Sequence, residues 1–380
     1  MASQTSTTHV RVLVADDQPD VLEALRWLLT GEGYEPQFVG STDAVMERLR
    51  EEPFDLLLMD LNYTRDTTSG REGLELIPRV RAHDPAMPIV VMTGWGSIDT
   101  AVEAMRRGAK SFVQKPWEDV TLLEMLEREV AEARAAKRRD RQQQREVEDA
   151  RLIQRGLLPT SVPRIAGLDI AVAWQPAQSV GGDCFDTLAF PSGLGVSIAD
   201  IAGKGLPAAL LMSNLQAAVR AFAQESADPS SVCGSVNRLL CRNMASGRFA
   251  TFCYARIDAA GRRIVYSNAG HNPPLLIRPD GAVERLTEGG MVLGVFPDNA
   301  YSQAELPLGA GDRLIFYTDG ITEARNPAGD DFYEDRLEAA AVAARAQPVE
   351  LMKDTLLADV NAFSGGHFED DATLIVVGIP

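Results

Sequence analysis

Four short, largely apolar runs in the first 115 residues stop at residues that carry chemistry. Val10–Ala15 runs into Asp16 and Asp17, Asp55–Met59 into Asp60, Pro88–Met92 into Thr93, and Ser111–Val113 toward Lys115-Pro116. Amphipathic stretches such as Val21–Leu29 lie between them. Runs this short and this apolar are strands buried on both faces. Their alternation with helices predicts an α/β domain, a doubly wound parallel sheet. Such sheets place ligand sites at the carboxyl ends of their strands. Three carboxylates, a hydroxyl and an ammonium would therefore meet in one cup. Hard oxygen ligands suit Mg²⁺. The ion and the lysine could neutralise an incoming phosphoryl group while a carboxylate attacks it.

From about Thr121 the pattern changes. Leu122, Leu126, Val130 and Ala133 recur at helical spacing, the polar run KRRDRQQQRE follows, and Val147, Ala150, Ile153 and Leu157 restore an apolar stripe. Pro159 ends the helix. A long helix with a polar middle and apolar ends suits a signalling helix or a short parallel coiled coil, and hence a homodimer through the linker. A solvated spacer is the alternative. Beyond it, strands are expected at Leu168–Trp174, Gly195–Ala199, Phe252–Asp258, Arg263–Ser267, Pro274–Ile277, Arg313–Tyr317 and Ala372–Gly378. Helices are expected at Leu206–Gln224, Pro229–Met244, from about Asp335, and over Val349–Phe363. Two groups of strands with inserted helices predict an α+β β-sandwich. The domains are read as 8–125, a helical linker 126–158, and 159–380.

Four acidic spots in the last domain sit at strand ends or tight turns. They are Gly181-Gly182-Asp183-Cys184-Phe185-Asp186, Ala199-Asp200-Ile201-Ala202-Gly203-Lys204-Gly205, Tyr317-Thr318-Asp319-Gly320 and Asp370-Asp371-Ala372-Thr373. Glycines beside the acids let the backbone approach an ion. Carboxylates without a histidine partner favour Mg²⁺ or Mn²⁺ over zinc. Two such ions about 3.5–4 Å apart can acidify a water and hold a phosphate for in-line attack. His271, one of only four histidines, is tempting as a general acid but is better read as a turn residue bonded to backbone, as are Asn268 and Asn272. Gly181-Gly182-Asp183 alone might suggest a cyclic-dinucleotide synthase, but the residues after it are wrong for one. The helical stretch around Met212 reads as core.

The acidic balance, a net charge of -17, opposes a phosphate-backbone footprint, so no nucleic acid is expected as partner. The four cysteines, Cys184, Cys233, Cys241 and Cys253, have no metal-ligand spacing and read as reduced thiols. The polar N-terminus is no signal peptide. No apolar run approaches the roughly 18 residues that cross a bilayer. The expectation is a cytoplasmic chain with no membrane contact.

Residues 10–125, through Asp16, Asp17, Asp60, Thr93 and Lys115-Pro116, resemble the receiver domain of two-component response regulators. The resemblance implies that Asp60 accepts a phosphoryl group from a sensor histidine kinase, while Asp16, Asp17, Asp60 and the Asn62 carbonyl hold Mg²⁺. It implies that Thr93 and Lys115 sense the phosphate and that Phe112 is the aromatic switch. The loop after Asp60 (LNYTRDTTSGREG) is longer than usual and lacks the common Met-Pro turn. From about Ala150 to Pro380, the four acidic motifs with ADIAGKGLPAALLM, SNAGHNPPLL and FYTDGITEARN are similar to the PPM family of metal-dependent serine/threonine phosphatases, in its bacterial sporulation and stress-response branch. This implies two Mn²⁺ or Mg²⁺ ions. Asp200 would bridge them with help from the Ile201 carbonyl, Asp319 and Asp370 would complete the second metal site, and Asp183 would position a metal-bound water. Asp186 and Asp371 would support from outside the ligand set. Activated water would attack phosphorus directly, with no phosphoenzyme, and the helices after the Asp200 motif could swing to complete the metal site.

The expected protein is a response regulator whose aspartyl phosphorylation controls a phosphatase. The implied substrate is a phosphorylated anti-sigma-factor antagonist of the STAS type, in a partner-switching pathway that regulates a sigma factor. The last strand leads directly to Pro380, so an opposing kinase is expected on another polypeptide. The rival readings are a non-enzymatic partner-binding domain and a DNA-binding regulator. Four intact aspartate motifs oppose the first. The second lacks a recognition motif.

Overall fold

The computed structural model describes residues 9–63, 70–94, 98–159, 161–175, 177, 180–226, 228–244 and 247–380. The chain forms two compact units, one up to Gln144 and one from Arg145.

The first unit alternates strands and helices: β1 (Arg11–Ala15), α1 (Pro19–Gly31), β2 (Glu35–Val39), α2 (Thr42–Glu51), β3 (Leu56–Asp60), α3 (Arg71–His83), β4 (Ile89–Thr93), α4 (Ile98–Arg106), β5 (Ser111–Gln114) and α5 (Asp119–Leu157). The strands are all parallel, in the order β2-β1-β3-β4-β5. Leu13, Ala15, Leu57, Met59, Ile89 and Val91 fill the core on one face, and Val12, Val14, Leu56, Leu58, Val90 and Met92 fill the other. That two-sided burial is why these strands are continuously apolar. The start of α5 is part of this domain: Leu122, Leu126 and Val130 are buried in the second core. The apolar stripe expected there thus covers the sheet.

The second unit has β6 (Asp169–Gln175), β7 (Cys184–Phe190), β8 (Gly193–Ile201), α6 (Leu206–Glu225), α7 (Pro229–Asn243), β9 (Ala250–Asp258), β10 (Arg263–Ala269), β11 (Leu275–Ile277), β12 (Val283–Arg285), β13 (Gly289–Gly290), β14 (Ala304–Pro307), β15 (Arg313–Tyr317), α8 (Asp319–Thr322), α9 (Glu334–Ala344), α10 (Val349–Ser364) and β16 (Ala372–Gly378). One sheet runs β13-β10-β9-β8-β7 with β14 beside β10, and the other runs β12-β11-β15-β16-β6. Alternation along β15 and β16 shows the layering. Leu314, Phe316, Ile375 and Val377 point into the core shared with the first sheet, whereas Ile315, Tyr317, Leu374 and Val376 pack with Leu337, Met352 and Leu356 of α9 and α10.

The stripe expected at the end of α5 is displaced by one residue. Ile153 is 67% exposed, while Gln154 and Leu158 are buried. The segment from Cys184, expected as part of a tight turn, is strand β7. It pairs antiparallel with β8 in the register Cys184↔Ala199.

Candidate active site and phosphoacceptor cup

In the first domain, β1 and β3 end side by side and deliver their acids to one point. Asp16, Asp17 and Asp60 each offer a carboxylate oxygen within 4.8 Å of the others. Lys115 Nζ lies 2.5 Å from Asp16 Oδ2 and 3.1 Å from Asp60 Oδ2. Asp60 is buried, and that burial raises its carboxyl above the ordinary range even though Lys115 pulls the other way. Its Oδ1 accepts the Leu61 N–H at 2.9 Å. Thr93 is buried at the end of β4, and the Phe112 ring is 44% exposed on β5.

Asn62 Oδ1 is buried without a partner. Three converging carboxylates make a donor set that fits a hard divalent ion. Sequence reasoning overlooked Tyr63, whose buried hydroxyl lies 3.4 Å from the Ala15 carbonyl. Burial and the nearby Asp60, Asp16 and Asp17 charges push it upward, so it stays a neutral phenol. The middle of the unusual loop after Asp60, residues 64–69, lies outside the described residues.

In the second domain the acids come from the facing ends of the two sheets. The β7–β8 register sets Asp183 opposite Asp200. In the other sheet Tyr317 pairs with Leu374, so Thr318 and Thr373 are opposite neighbours, with Asp319 and Asp371 just beyond them. A hydrogen-bonded knot joins the two ends. Asp183 Oδ2 accepts the Thr318 hydroxyl at 2.7 Å and the Thr373 hydroxyl at 2.5 Å. Thr318 Oγ1 in turn accepts the Thr373 N–H at 2.9 Å. Asp371 Oδ1 accepts the Ala177 N–H at 2.9 Å and Oδ2 the Gly182 N–H at 2.7 Å.

These carboxylates raise one another. Asp200 is pushed up to about 7, by burial first and then by Asp319, Asp370 and Asp371. Asp319 rises to about 6, by burial and then by Glu323 and Asp370. Burial also raises the fully enclosed Asp183. Yet among the described residues no three of these acids converge as the receiver triplet does. Asp370 Oδ2 lies 2.9 Å from Lys204 Nζ, a neighbour that sequence reasoning did not single out.

A cleft lined by Gly182, Gly203, Lys204, Glu369, Asp370 and Asp371 opens here. A side chain at position 182 would put its Cβ 2.9 Å from the Ile201 carbonyl and 3.2 Å from Asp200 Oδ1. That bare backbone leaves both oxygens accessible, and several mutually raised carboxylates form a donor set that fits divalent cations.

His271 has another task. Its ring is buried, Nε2 donates to the Tyr317 carbonyl at 3.1 Å, and Nδ1 accepts from the Thr251 hydroxyl at 2.8 Å. Burial lowers it to about 4, so the ring is neutral. It ties the first sheet to the strand that leads into Asp319. Asn268 is spent on the His271 and Leu286 backbone. Asp186 is buried against Arg220 of α6, at 2.5 Å. All four cysteines are free thiols.

A phosphoacceptor-type cup on a five-stranded parallel sheet and an acid-lined cleft at the end of a helix-flanked double sheet define a response regulator coupled to a PPM-type phosphatase domain. Comparison with known proteins agrees. Residues 12–127 match the response regulator receiver domain family, and residues 191–380 match the family described as Stage II sporulation protein E (SpoIIE). The phosphoserine phosphatase RsbU of Bacillus subtilis is 32% identical over 238 residues, which span 61% of this chain and 69% of RsbU. The structure of the RsbU and RsbW domains of a Mycobacterium tuberculosis protein is 28% identical with a TM-score of 0.52, covering 58% of this chain and 63% of that one. The SiaA-PP2C domain of Pseudomonas aeruginosa is 24% identical with a TM-score of 0.55, covering 63% of this chain and 98% of that domain, and shares the fold. The chain belongs to the SpoIIE family, and its second domain is a metal-dependent serine/threonine phosphatase. No helix among the described residues is long and apolar enough to cross a membrane.

Proposed function

We propose that phosphorylation of Asp60 by a sensor histidine kinase controls hydrolysis at the second site. The substrate is a phosphoserine or phosphothreonine of a STAS-type anti-sigma-factor antagonist, in a partner-switching pathway. The observation that carries the catalytic half is the coupling of Asp200 to Asp319, Asp370 and Asp371 beside the glycine-bared Ile201 carbonyl. The domains on this reading are 8–125 for the receiver, 126–158 for the helical linker and 159–380 for the phosphatase. The chain acts in the cytoplasm as a homodimer through the linker helix. The exposed Leu152 and Ile153 on that helix support this.

In the receiver, Asp16, Asp17, Asp60 and the Asn62 carbonyl would hold Mg²⁺, and Asp60 is the nucleophile toward the phosphoryl group. Lys115 spans Asp16 and Asp60, which supports its taking up the phosphoryl charge. Thr93 stands at the neighbouring strand end, and Phe112 is the side chain that reports the change of state. In the phosphatase, two Mn²⁺ or Mg²⁺ ions supply charge neutralisation and an acidified water. Asp200 and the Ile201 carbonyl would hold both ions, and Asp319 and Asp370 would complete the second metal site. Asp183, fixed by two threonine hydroxyls, orients the attacking water.

The test is hydrolysis of a phosphorylated antagonist by wild type and Asp60→Ala, each with and without a small-molecule phosphodonor. The donor is expected to change the wild-type rate several-fold and to leave Asp60→Ala unmoved. Equal donor responses in the two proteins would remove the gating claim, and absence of turnover in both would remove the substrate.

A further inference from the structure

The last turns of α5 carry a single buried polar side chain among the described residues, Gln154, which is 2% exposed. Its amide is spent entirely on the backbone of one residue. Nε2 donates to the Gly181 carbonyl at 2.7 Å, and Oε1 accepts the Gly181 N–H at 3.0 Å. The side chain thus does for Gly181 what a neighbouring strand would do.

The other side of the same segment faces the acids. A Cβ at position 181 would stand 2.1 Å from Asp371 Oδ2, and one at 182 would crowd Asp200 Oδ1 and the Ile201 carbonyl. Gly182 N–H is bonded to Asp371, and the next residue is Asp183. Two consecutive glycines are intrinsically loose. Here they are clamped between a helix on one side and carboxylates on the other.

The end of α5 is fastened a second time. The Leu157 carbonyl accepts Gln216 Nε2 at 2.8 Å and Arg220 Nη2 at 3.3 Å, and Arg220 Nε also grips Asp186 of β7 at 2.5 Å. Both fastenings converge on the start of β7. A site held within tenths of an ångström needs such outer support.

We propose that Gln154 is a positioning residue that ties the last turn of the linker helix to Gly181-Gly182-Asp183, so that the seating of this helix sets the affinity of the second domain for its divalent ions. The inference rests on the reading of Asp200 as a metal-binding acid.

The experiment is a Mn²⁺ titration of the full chain, followed by the EPR signal of the free ion. It compares wild type, Asp200→Asn, Gln154→Met and Arg155→Ala. Methionine keeps the volume and loses both hydrogen bonds, whereas Arg155 is exposed on the same turn. Asp200→Asn isolates the binding that belongs to the receiver. Gln154→Met is expected to weaken the Asp200-dependent binding about 10–100-fold. Its phosphatase KM should stay unchanged and its kcat should recover at high Mn²⁺. Arg155→Ala should titrate as wild type. A Gln154→Met isotherm that superimposes on wild type, or an equal loss in Arg155→Ala, overturns the proposal. If Asp200→Asn also superimposes on wild type, the metal reading itself has failed. Should Gln154→Met unfold, Gln154→Glu, which keeps the acceptor for Gly181 N–H, decides by the same titration: wild-type affinity overturns the proposal and weakened affinity supports it.

Discussion

The two acidic sites of this chain are built in opposite ways. In the receiver, three carboxylates converge within 4.8 Å and one buried-stem lysine bridges two of them. In the phosphatase, the acids come from two sheets and are fixed one at a time, by threonine hydroxyls, backbone amides and a lysine. A parallel sheet brings its strand ends together by topology alone, so its site needs little besides the strands. A two-sheet site has to be cross-braced, because each sheet fixes only its own half. The receiver cup should therefore be sensitive to its acids and lysine. The phosphatase site should be sensitive to residues that never touch a substrate.

The largest expected effect is that of Asp319→Asn. Mn²⁺-dependent phosphatase activity should fall more than about 100-fold, beyond what loss of a residue that only supports a ligand costs. Acetyl-phosphate labelling of Asp60 should be unchanged. Wild-type turnover in that variant would break the assignment of the second site.

Next is the brace itself. Thr318→Val leaves the buried Asp183 with one hydroxyl in place of two, which should cost about 1–3 kcal/mol of stability and about 10-fold or more in kcat. Chemical denaturation and steady-state kinetics read these separately. An effect on neither would mean that the knot does not hold the halves together.

The third is a pH effect. Asp200 is raised to about 7 in the folded protein, well above its unfolded value. Its contribution to stability is therefore complete below about pH 4 and is lost as pH climbs through about 7. In chelator-treated protein, wild type should lose stability relative to Asp200→Asn between pH 5 and about 7.5. His271, lowered to about 4, acts in the opposite sense, because its neutral form stabilises above the unfolded histidine value and that support fades as pH falls toward 4. It is common to both proteins and cancels in their difference. Parallel thermal-unfolding curves across that range would refute the coupling.

The smallest effect belongs to Lys204→Ala. Both partners of the Lys204–Asp370 pair are about half exposed, and such pairs contribute about 0–1 kcal/mol. Thermal unfolding should barely move. A large loss would show that this lysine braces the site as the threonines do.

Much of this was legible in the sequence because two periodicities leave clear traces. Strands apolar on every residue marked the parallel sheet, and acids at their ends marked the cup. The long helix and the principal strands of the sandwich were also plain. Other features were hidden for physical reasons. Strand β2 contains Pro36 and no fully buried residue, so it carries no apolar run. Strand β7 begins directly after two glycines and an acid, which read as a turn. Strands β12 to β14 are only 2–4 residues long. The brace was invisible because Thr318, Thr373 and Gln154 are ordinary residues. Their importance lies in partners 27 to 190 positions away. Gln154 even broke the helical stripe that its neighbour Ile153 seemed to continue.

The place of β16 has a consequence for the life of the chain. This strand, residues 372–378, lies between β15 and β6 and pairs Ala372 with Gln175, almost two hundred residues earlier. Until the ribosome has passed it, the second sheet lacks its middle and Asp183 lacks the Thr373 hydroxyl. A nascent chain can present a finished receiver, whose strands are all made early, long before it can present a finished phosphatase. The order of synthesis thus completes the receiver before the phosphatase, and a half-made copy lacks a strand that the second site is built on.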